Sequence, residues 1–268
     1  MYFSVSDLEN FYNSEIGGIV QNILQRHISE AWGDTGGLRV LGVGYASPYL
    51  DPFHQKTERV LSLMSPKQGA SHWVPKDKNL TFLSDENTMP IENSSVDRIL
   101  LIHHLENCDN LELSLREIWR ILKANGRLLV IVPNRVGVWA KADWSPFGHG
   151  TPFTASQLCS HLRDSMFILE EQKGALFVPP IPDSPVMMRS ANLIERMGGN
   201  FLPFVAGVHI MQMSKQIYAS VDNNGTGSAV FDKAKEILTG GRATVPQGFS
   251  SNGRDVKSQG DYLDQSRP

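Results

Sequence analysis

The chain has 268 residues, of which 41% are apolar and 20% charged, and its formal net charge at pH 7 is −3. This is ordinary globular composition, and its mild acidity argues against a dedicated nucleic-acid binder, which usually carries a basic face. No apolar run reaches the roughly 18 residues of a membrane span, and the N-terminus lacks the features of a signal peptide. We therefore expect a cytoplasmic protein without a membrane or nucleic-acid partner.

An amphipathic helix is predicted over residues 6–32. Ser6 can cap it, and Glu9 completes a capping box three residues later. Apolar residues then recur with helical spacing, while the pair at residues 17–18, both glycine, weakens the middle and marks a bend. This helix precedes the first predicted strand.

Strands then alternate with helices or long crossovers. Seven strands are predicted, at residues 38–43, 59–64, 80–83, 98–102, 127–132, 167–170 and 205–218. The clearest helix covers 109–122, with Asp109 as its N-cap and Gly126 in a left-handed position after its end. Two more helices are predicted at 154–162 and 184–197. This order predicts an α/β fold with a doubly wound, mostly parallel seven-stranded sheet, an N-terminal helix and a C-terminal tail.

The composition changes near residue 221. Residues 221–268 are rich in Asn, Gly, Ser and Asp, carry balanced charges, and contain one short helical candidate at 229–238. Such a segment cannot bury enough apolar surface to fold alone. We expect one domain over residues 1–220 and a polar, flexible tail over 221–268.

Ligands of an open α/β sheet bind outside the carboxyl ends of its strands. Four segments with small or polar residues follow predicted strands: 40–48, 83–97, 103–107 and 133–153. The first is either a close backbone approach to a ligand or a tight turn, since short glycine motifs are weak signals. The second is either a ribose or base contact or a polar surface loop.

The other two segments carry histidines. Imidazole and carboxylate groups such as His103 and Glu106 can do acid–base work. The adjacent His103 and His104 point in opposite directions, so we expect one of the two to be a structural residue. In the fourth segment, aromatic side chains either wall a pocket with His149 or pack on the domain. Those aromatics are Trp139, Trp144, Phe147 and Phe153.

The two cysteines, Cys108 and Cys159, are far apart in sequence and form neither a disulfide framework nor a metal pattern. We expect both to be small apolar fillers, and we expect no metal site.

Several motifs in order resemble the class I S-adenosylmethionine-dependent methyltransferases, of the type-11 or ubiquinone-methyltransferase-like group. The strongest match is the segment 84–97, which resembles the family's Gly-Asp-Ala-Glu-x-Leu-Pro-Phe stretch without a gap. The segment 103–107 is similar to its His-x-Leu-Glu-His motif, and 116–130 is similar to Arg-Glu-x-x-Arg-Val-Leu-Lys-Pro-Gly-Gly. The likeness covers residues 35–135.

This resemblance implies S-adenosylmethionine as cofactor, with its adenine near Asp85 and its methionine end near the N-terminal helix. The implied cofactor-binding residues are Tyr12, Gly42, Gly44, Tyr45, Ala46, Asp85, Met89 and His103. The candidate catalytic residues are His103, Glu106 and His149. The chain departs from the family pattern where Ala46 and Pro48 replace glycines and where the usual acid after the second strand is missing.

Two functions remain open at this point. One is methyl transfer to a small molecule. The other is a methyltransferase fold that has lost cofactor affinity and serves as a binding or regulatory subunit, with a protein partner on the tail or on the loop 138–153. A nicotinamide oxidoreductase is disfavoured, because Gly42 and Gly44 are followed by Ser47 and Pro48 and not by the third glycine of its motif.

Overall fold

The fold is a seven-stranded, mostly parallel sheet with helices on both faces. This computed structural model describes residues 3–73, 79–181, 190–191, 193–198 and 205–217. Within them the strands are β1 (Arg39–Gly44), β2 (Arg59–Met64), β3 (Thr81–Leu83), β4 (Val96–Ile102), β5 (Leu122–Pro133), β6 (Phe167–Ala175) and β7 (Val208–Lys215), in the order β3-β2-β1-β4-β5-β7-β6. Only the pairs that include β7 are antiparallel. The predicted fold class is confirmed.

The predicted N-terminal helix is in fact two helices, α1 (Val5–Tyr12) and α2 (Glu15–Trp32). Ser4, and not Ser6, caps α1. Ser14 separates the two helices. Its hydroxyl donates to the Phe11 carbonyl near the end of α1 and accepts from the Gly17 amide in the first turn of α2. A side chain at Gly17 would collide with the Phe11 carbonyl, so this glycine lets α1 pack against α2.

Three further helices are α3 (Ser47–Leu50), α4 (Leu111–Ile121) and α5 (Ala155–Asp164). The predicted start and end of α4 were both wrong. Asn110 caps the helix instead of Asp109, and the chain turns directly into β5 at Leu122, so Gly126 lies inside a strand and not in a left-handed position. Thr154 caps α5 as predicted, with a capping box to Gln157.

Some predictions fall on residues that are not described. Residues 190–191 and 193–198 are helical, within the predicted helix 184–197, and the rest of that helix lies outside the described residues. The tail 221–268 and its helical candidate also lie outside them, so the domain boundary stays a prediction. None of the described helices combines the length and apolarity that a membrane span needs.

Two apolar clusters, one on each face, hold the sheet. Alternate residues of β4 enter opposite clusters, Leu100 and Ile102 with α1 and α2, and Ile99 and Leu101 with α4 and α5. The period of two is that of a strand whose faces are both covered. The sheet is therefore a rigid frame that places the ends of β1, β2, β3 and β4 side by side.

The turn after β1 predicts a test of this frame. Gly44 has φ +84°, and a Cβ there would lie 2.3 Å from the Ile102 carbonyl oxygen. We expect Gly44→Ala to lower the free energy of unfolding by about 2 kcal/mol or more, since it adds left-handed strain to a clash.

Gly18→Ala is the matched control. Gly18 lies in α2 with open space at the Cβ position, so alanine should raise stability by about 0.5–1 kcal/mol. Urea unfolding followed by circular dichroism measures both. A Gly44→Ala protein as stable as wild type would contradict the close approach of β1 to β4.

Candidate active site

At the predicted glycine turn, β1 lies close to the end of β4 and to α3. Gly44 approaches the end of β4, and the next amide, that of Tyr45, donates to the Ile102 carbonyl at 3.1 Å. Gly42 lies inside β1, where a Cβ would be 2.5 Å from the Ala46 Cβ. The absent side chain of Gly42 therefore makes room for α3 against the strand, which is a packing role.

A buried aromatic cluster lies over this turn. The Tyr12 hydroxyl is 2.7 Å from Nε2 of His103 and accepts a 2.9 Å hydrogen bond from the Tyr49 hydroxyl. The Tyr12 ring stacks on the Tyr45 ring, with 5.5 Å between centroids. Burial raises the pKa of Tyr12 well above its usual value and that of Tyr45 to about 12. Both phenols are therefore neutral hydrogen-bonding groups at neutral pH.

His103 lies between Tyr12 and Glu106. The Tyr12 hydroxyl, which accepts from Tyr49, is within hydrogen-bond distance of His103 Nε2. His103 Nδ1 lies 3.5 Å from the Glu106 carboxylate, and both side chains are buried. Neither Nδ1 nor the two carboxylate oxygens have a hydrogen-bond partner among the described residues, so imidazole and carboxylate are close neighbours without a hydrogen bond between them.

His103 also has an unusual backbone, with φ +53°. A left-handed non-glycine residue costs roughly 1–3 kcal/mol and is common at functional sites. The Gln68 side chain donates to the His103 carbonyl at 3.1 Å, and the Gln68 carbonyl accepts from the Val5 amide at the start of α1. Gln68 follows β2 near the place of the family's missing acid, and nothing in the sequence pattern marked it.

His149, the third catalytic candidate, has different neighbours. Its Nε2 lies 2.6 Å from the Asp143 carbonyl, and its ring packs on Phe3. The structure thus brings His103 and Glu106 together, whereas His149 is held within its own loop and against the N-terminal segment.

Asp85 and Met89 occupy the loop after β3. Asp85 is exposed, and its carboxylate accepts from the Asn87 amide at 2.8 Å. The Met89 amide donates to Glu117 at 3.0 Å, and its carbonyl accepts from Arg120 at 2.9 Å. Both polar groups of the Met89 backbone are therefore satisfied by α4, whereas the exposed Asp85 carboxylate is accessible to a ligand.

The loop aromatics mostly belong to the core. Trp139 and Phe147 are fully buried, and both rings pack edge-on against Phe11 of α1. The indole nitrogen of Trp139 donates to the Val178 carbonyl at 2.7 Å. Phe153 is also buried, whereas Trp144 is 42% exposed. The packing alternative accounts for three of the four aromatics.

A narrow gap without room for a water molecule lies at the carboxyl ends of β2, β3 and β4. It is lined by Ser65, Lys67, Gln68, Glu86, His103, His104 and Asn107. Small-molecule sites usually enclose roughly 300–1,000 Å³. Since α1 and its Tyr12 cover this end of the sheet, a nucleoside fits here only when α1 moves.

The loop that carries Met89 depends on a partly buried ion pair. Arg120, hydrogen-bonded to Glu117, holds the pKa of that carboxyl below its usual range. We expect Glu117→Gln to cost about 1 kcal/mol at neutral pH, because a charged acceptor of the Met89 amide is lost. Because the folded pKa is depressed, this contribution is present above the unfolded pKa of about 4.3 and disappears as pH falls through the folded value.

Urea unfolding at neutral and at acid pH checks this expectation. Glu112→Gln, on the exposed face of the same helix, should change stability by only a few tenths of a kcal/mol. An unchanged difference between wild type and Glu117→Gln at acid pH would contradict the assigned ion pair.

Comparison with known proteins places the fold. Residues 38–130 match the family model described as a methyltransferase domain, of the type-11 group. No curated protein matched the chain. An S-adenosylmethionine-dependent methyltransferase from Archaeoglobus fulgidus is 17% identical, with a TM-score of 0.56 over 77% of this chain and 97% of its own.

Two more solved structures share the architecture. One is from Haloferax volcanii, a complex between a methyltransferase and the Trm112 methyltransferase activator, with 18% identity, a TM-score of 0.54, and 75% and 93% of the two chains covered. The other is a methyltransferase from Mesorhizobium loti, with 14% identity, a TM-score of 0.53, and 71% and 96% covered. Residues 38–130 thus match the methyltransferase-domain model, and the chain shares the fold of solved S-adenosylmethionine-dependent methyltransferases.

Proposed function

We propose that this chain transfers a methyl group from S-adenosylmethionine to a small molecule whose nucleophilic atom carries a proton. The observation that supports this is the buried arrangement of Tyr12, His103 and Glu106 at the carboxyl end of β4. A hydroxyl, an imidazole and a carboxylate in that order form a unit suited to accept a proton.

The residues on the cofactor side of the cleft match part of what S-adenosylmethionine binding requires. Asp85 is exposed and available to a ribose or base, and the Gly44 turn brings the backbone close to the strand ends. No carboxylate follows β2, where Ser65, Pro66 and Lys67 stand instead. When bound, the cofactor supplies an electrophilic methyl group, and the chain's task is to orient the acceptor and remove its proton.

His103 is the proton acceptor in this proposal. Its Nε2 now receives the Tyr12 hydroxyl, which marks a position where an acceptor hydroxyl or amine would meet the same lone pair. The proton would move to Nε2, and the Glu106 carboxylate 3.5 Å from Nδ1 would stabilise the resulting imidazolium. Glu106 is thus a positioning residue, and His149 takes no part.

Helix α1 controls access to this site. It has only eight residues and is held by the Val5 amide on Gln68, by the Tyr12 hydroxyl, and by its apolar packing. These contacts can separate without disturbing the strand ladder, so the sheet remains a rigid platform while the cleft opens.

A binding or regulatory subunit is the second candidate. The missing acid after β2 and the tyrosines over the Gly44 turn support it. So does an exposed apolar group on the loop near residues 138–153, formed by Val136, Val138 and Trp144 at 66%, 42% and 42% exposure. The Haloferax volcanii methyltransferase in its activator complex is a precedent for a protein partner on this fold.

Isothermal titration with S-adenosylmethionine and S-adenosylhomocysteine separates the two. We expect saturable binding, and Asp85→Asn should weaken it severalfold, because a charged acceptor makes hydrogen bonds roughly twice as strong as a neutral one. Asp34→Asn is the matched control, since Asp34 accepts from the amide two residues on, as Asp85 does, but lies before β1, at the amino ends of the strands.

A folded protein that gives no heat of binding at millimolar ligand would contradict the enzyme proposal and favour the binding or regulatory subunit. Binding that Asp85→Asn and Asp34→Asn leave equally unchanged would show that the cofactor does not use the loop after β3.

Tyr12→Phe tests whether α1 closes the cleft. The substitution removes the hydrogen bonds to His103 and Tyr49 but keeps the ring. If these bonds stabilise the closed state by about 1 kcal/mol, removing them should tighten cofactor binding about fivefold. A weaker affinity would instead show that the Tyr12 hydroxyl contacts the cofactor directly. Tyr49→Phe, which leaves the Tyr12–His103 bond in place, should have the smaller effect.

A further inference from the structure

Three metal-ligating side chains meet at the carboxyl ends of β3 and β4. Glu86 follows β3, His104 follows β4, and Cys108 lies one turn further along the chain. Their ligand atoms lie within 4.8 Å of one another, and Cys108 Sγ is 3.5 Å from His104 Nε2. We propose that Glu86, His104 and Cys108 bind a Zn²⁺ ion. No metal site was expected because the segment 103–107 has no third ligand at metal spacing. The three ligands of this cluster come from two segments, those after β3 and β4.

The donor set selects the metal. One thiolate, one imidazole and one carboxylate suit Zn²⁺, whereas Mg²⁺ and Ca²⁺ prefer oxygen ligands alone. Zinc–ligand bonds of about 2.0–2.3 Å place the donors of a tetrahedral site roughly 3.3–3.8 Å apart. The 3.5 Å between Cys108 Sγ and His104 Nε2 already has this spacing, and the Glu86 carboxylate lies within 4.8 Å of both atoms. The Cys108 thiol releases its proton to solvent as the sulfur–metal bond forms.

Glu86 gives the second, independent reason. Its side chain is buried, and among the described residues its Oε1 has no hydrogen-bond partner. A buried carboxylate oxygen without a partner is costly, so its presence calls for a cation. The Lys67 ammonium lies 3.8 Å away, but it bonds to the Asp109 carboxylate, and its side chain is 40% exposed. The lysine can therefore move outward while Glu86 stays in place.

The surroundings resemble those of a zinc site with an open position. The Ser114 hydroxyl lies 2.9 Å from His104 Nε2 and hydrogen-bonds to the Cys108 thiol, so it can donate to the thiolate once the metal is bound. Glu86 and His104 also line the narrow gap at the strand ends. Three protein ligands leave the fourth position of a tetrahedral zinc to water or to a donor atom of a small molecule, which enters once the gap widens.

Co²⁺ titration of the untagged full-length chain tests the proposal without any turnover. Wild type should develop a thiolate-to-cobalt charge-transfer absorption that saturates at one equivalent, and Zn²⁺ should abolish it. Cys108→Ser should remove the absorption, whereas Cys159→Ser, the matched control in α5, should keep it. No absorption in the folded wild type, or equal absorption in Cys108→Ser, would overturn the site.

Glu86→Gln keeps the test decisive if Cys108→Ser fails to fold. It retains the thiolate absorption but should weaken Co²⁺ binding about tenfold or more, since a charged ligand becomes a neutral one. Unchanged affinity would remove Glu86 from the site and overturn the proposal. Because neither readout involves S-adenosylmethionine, the result stands apart from the methyltransferase proposal.

Discussion

The close approach of the turn after β1 to the end of β4 is the constraint on which the site depends. With no side chain at Gly44, the Tyr45 amide can reach the Ile102 carbonyl. That contact sets the Tyr45 ring beside Tyr12. It also fixes the last residue of β4, so that the next residue, His103, must turn sharply into a left-handed conformation. The catalytic candidate is therefore positioned by backbone packing between two parallel strands.

Much of the fold followed from hydrophobic patterning because buried parallel strands and amphipathic helices impose strong periods. The errors lie where one hydrogen bond outweighs the pattern. Ser14 broke a helix that its apolar spacing made continuous, and the turn at Leu122 ended α4 before the glycine expected to stop it. Caps and turns depend on single side-chain bonds, which periodicity cannot detect.

The site was predictable only where chemistry is local in sequence. His103 and Glu106 are three residues apart, and the structure joins them. Gln68, which ties β2 to both His103 and α1, makes its contacts through tertiary packing alone. Met89, which a motif position suggested as a ligand contact, stays a prediction, and in this structure Glu117 and Arg120 of α4 satisfy its backbone.

The adjacent histidines show how one turn can serve two environments. The left-handed backbone at His103 directs its ring towards α1, where Tyr12 and Glu106 bracket it. His104 faces α4, where burial lowers its pKa to about 4, so it is neutral at physiological pH and able to donate a lone pair. In the proposed reaction Glu106 would stabilise the protonated form of the first imidazole, whereas the neutral second imidazole has the form that a metal requires. A proton acceptor and a metal ligand can therefore share two consecutive residues without competing, because the backbone turn separates their partners.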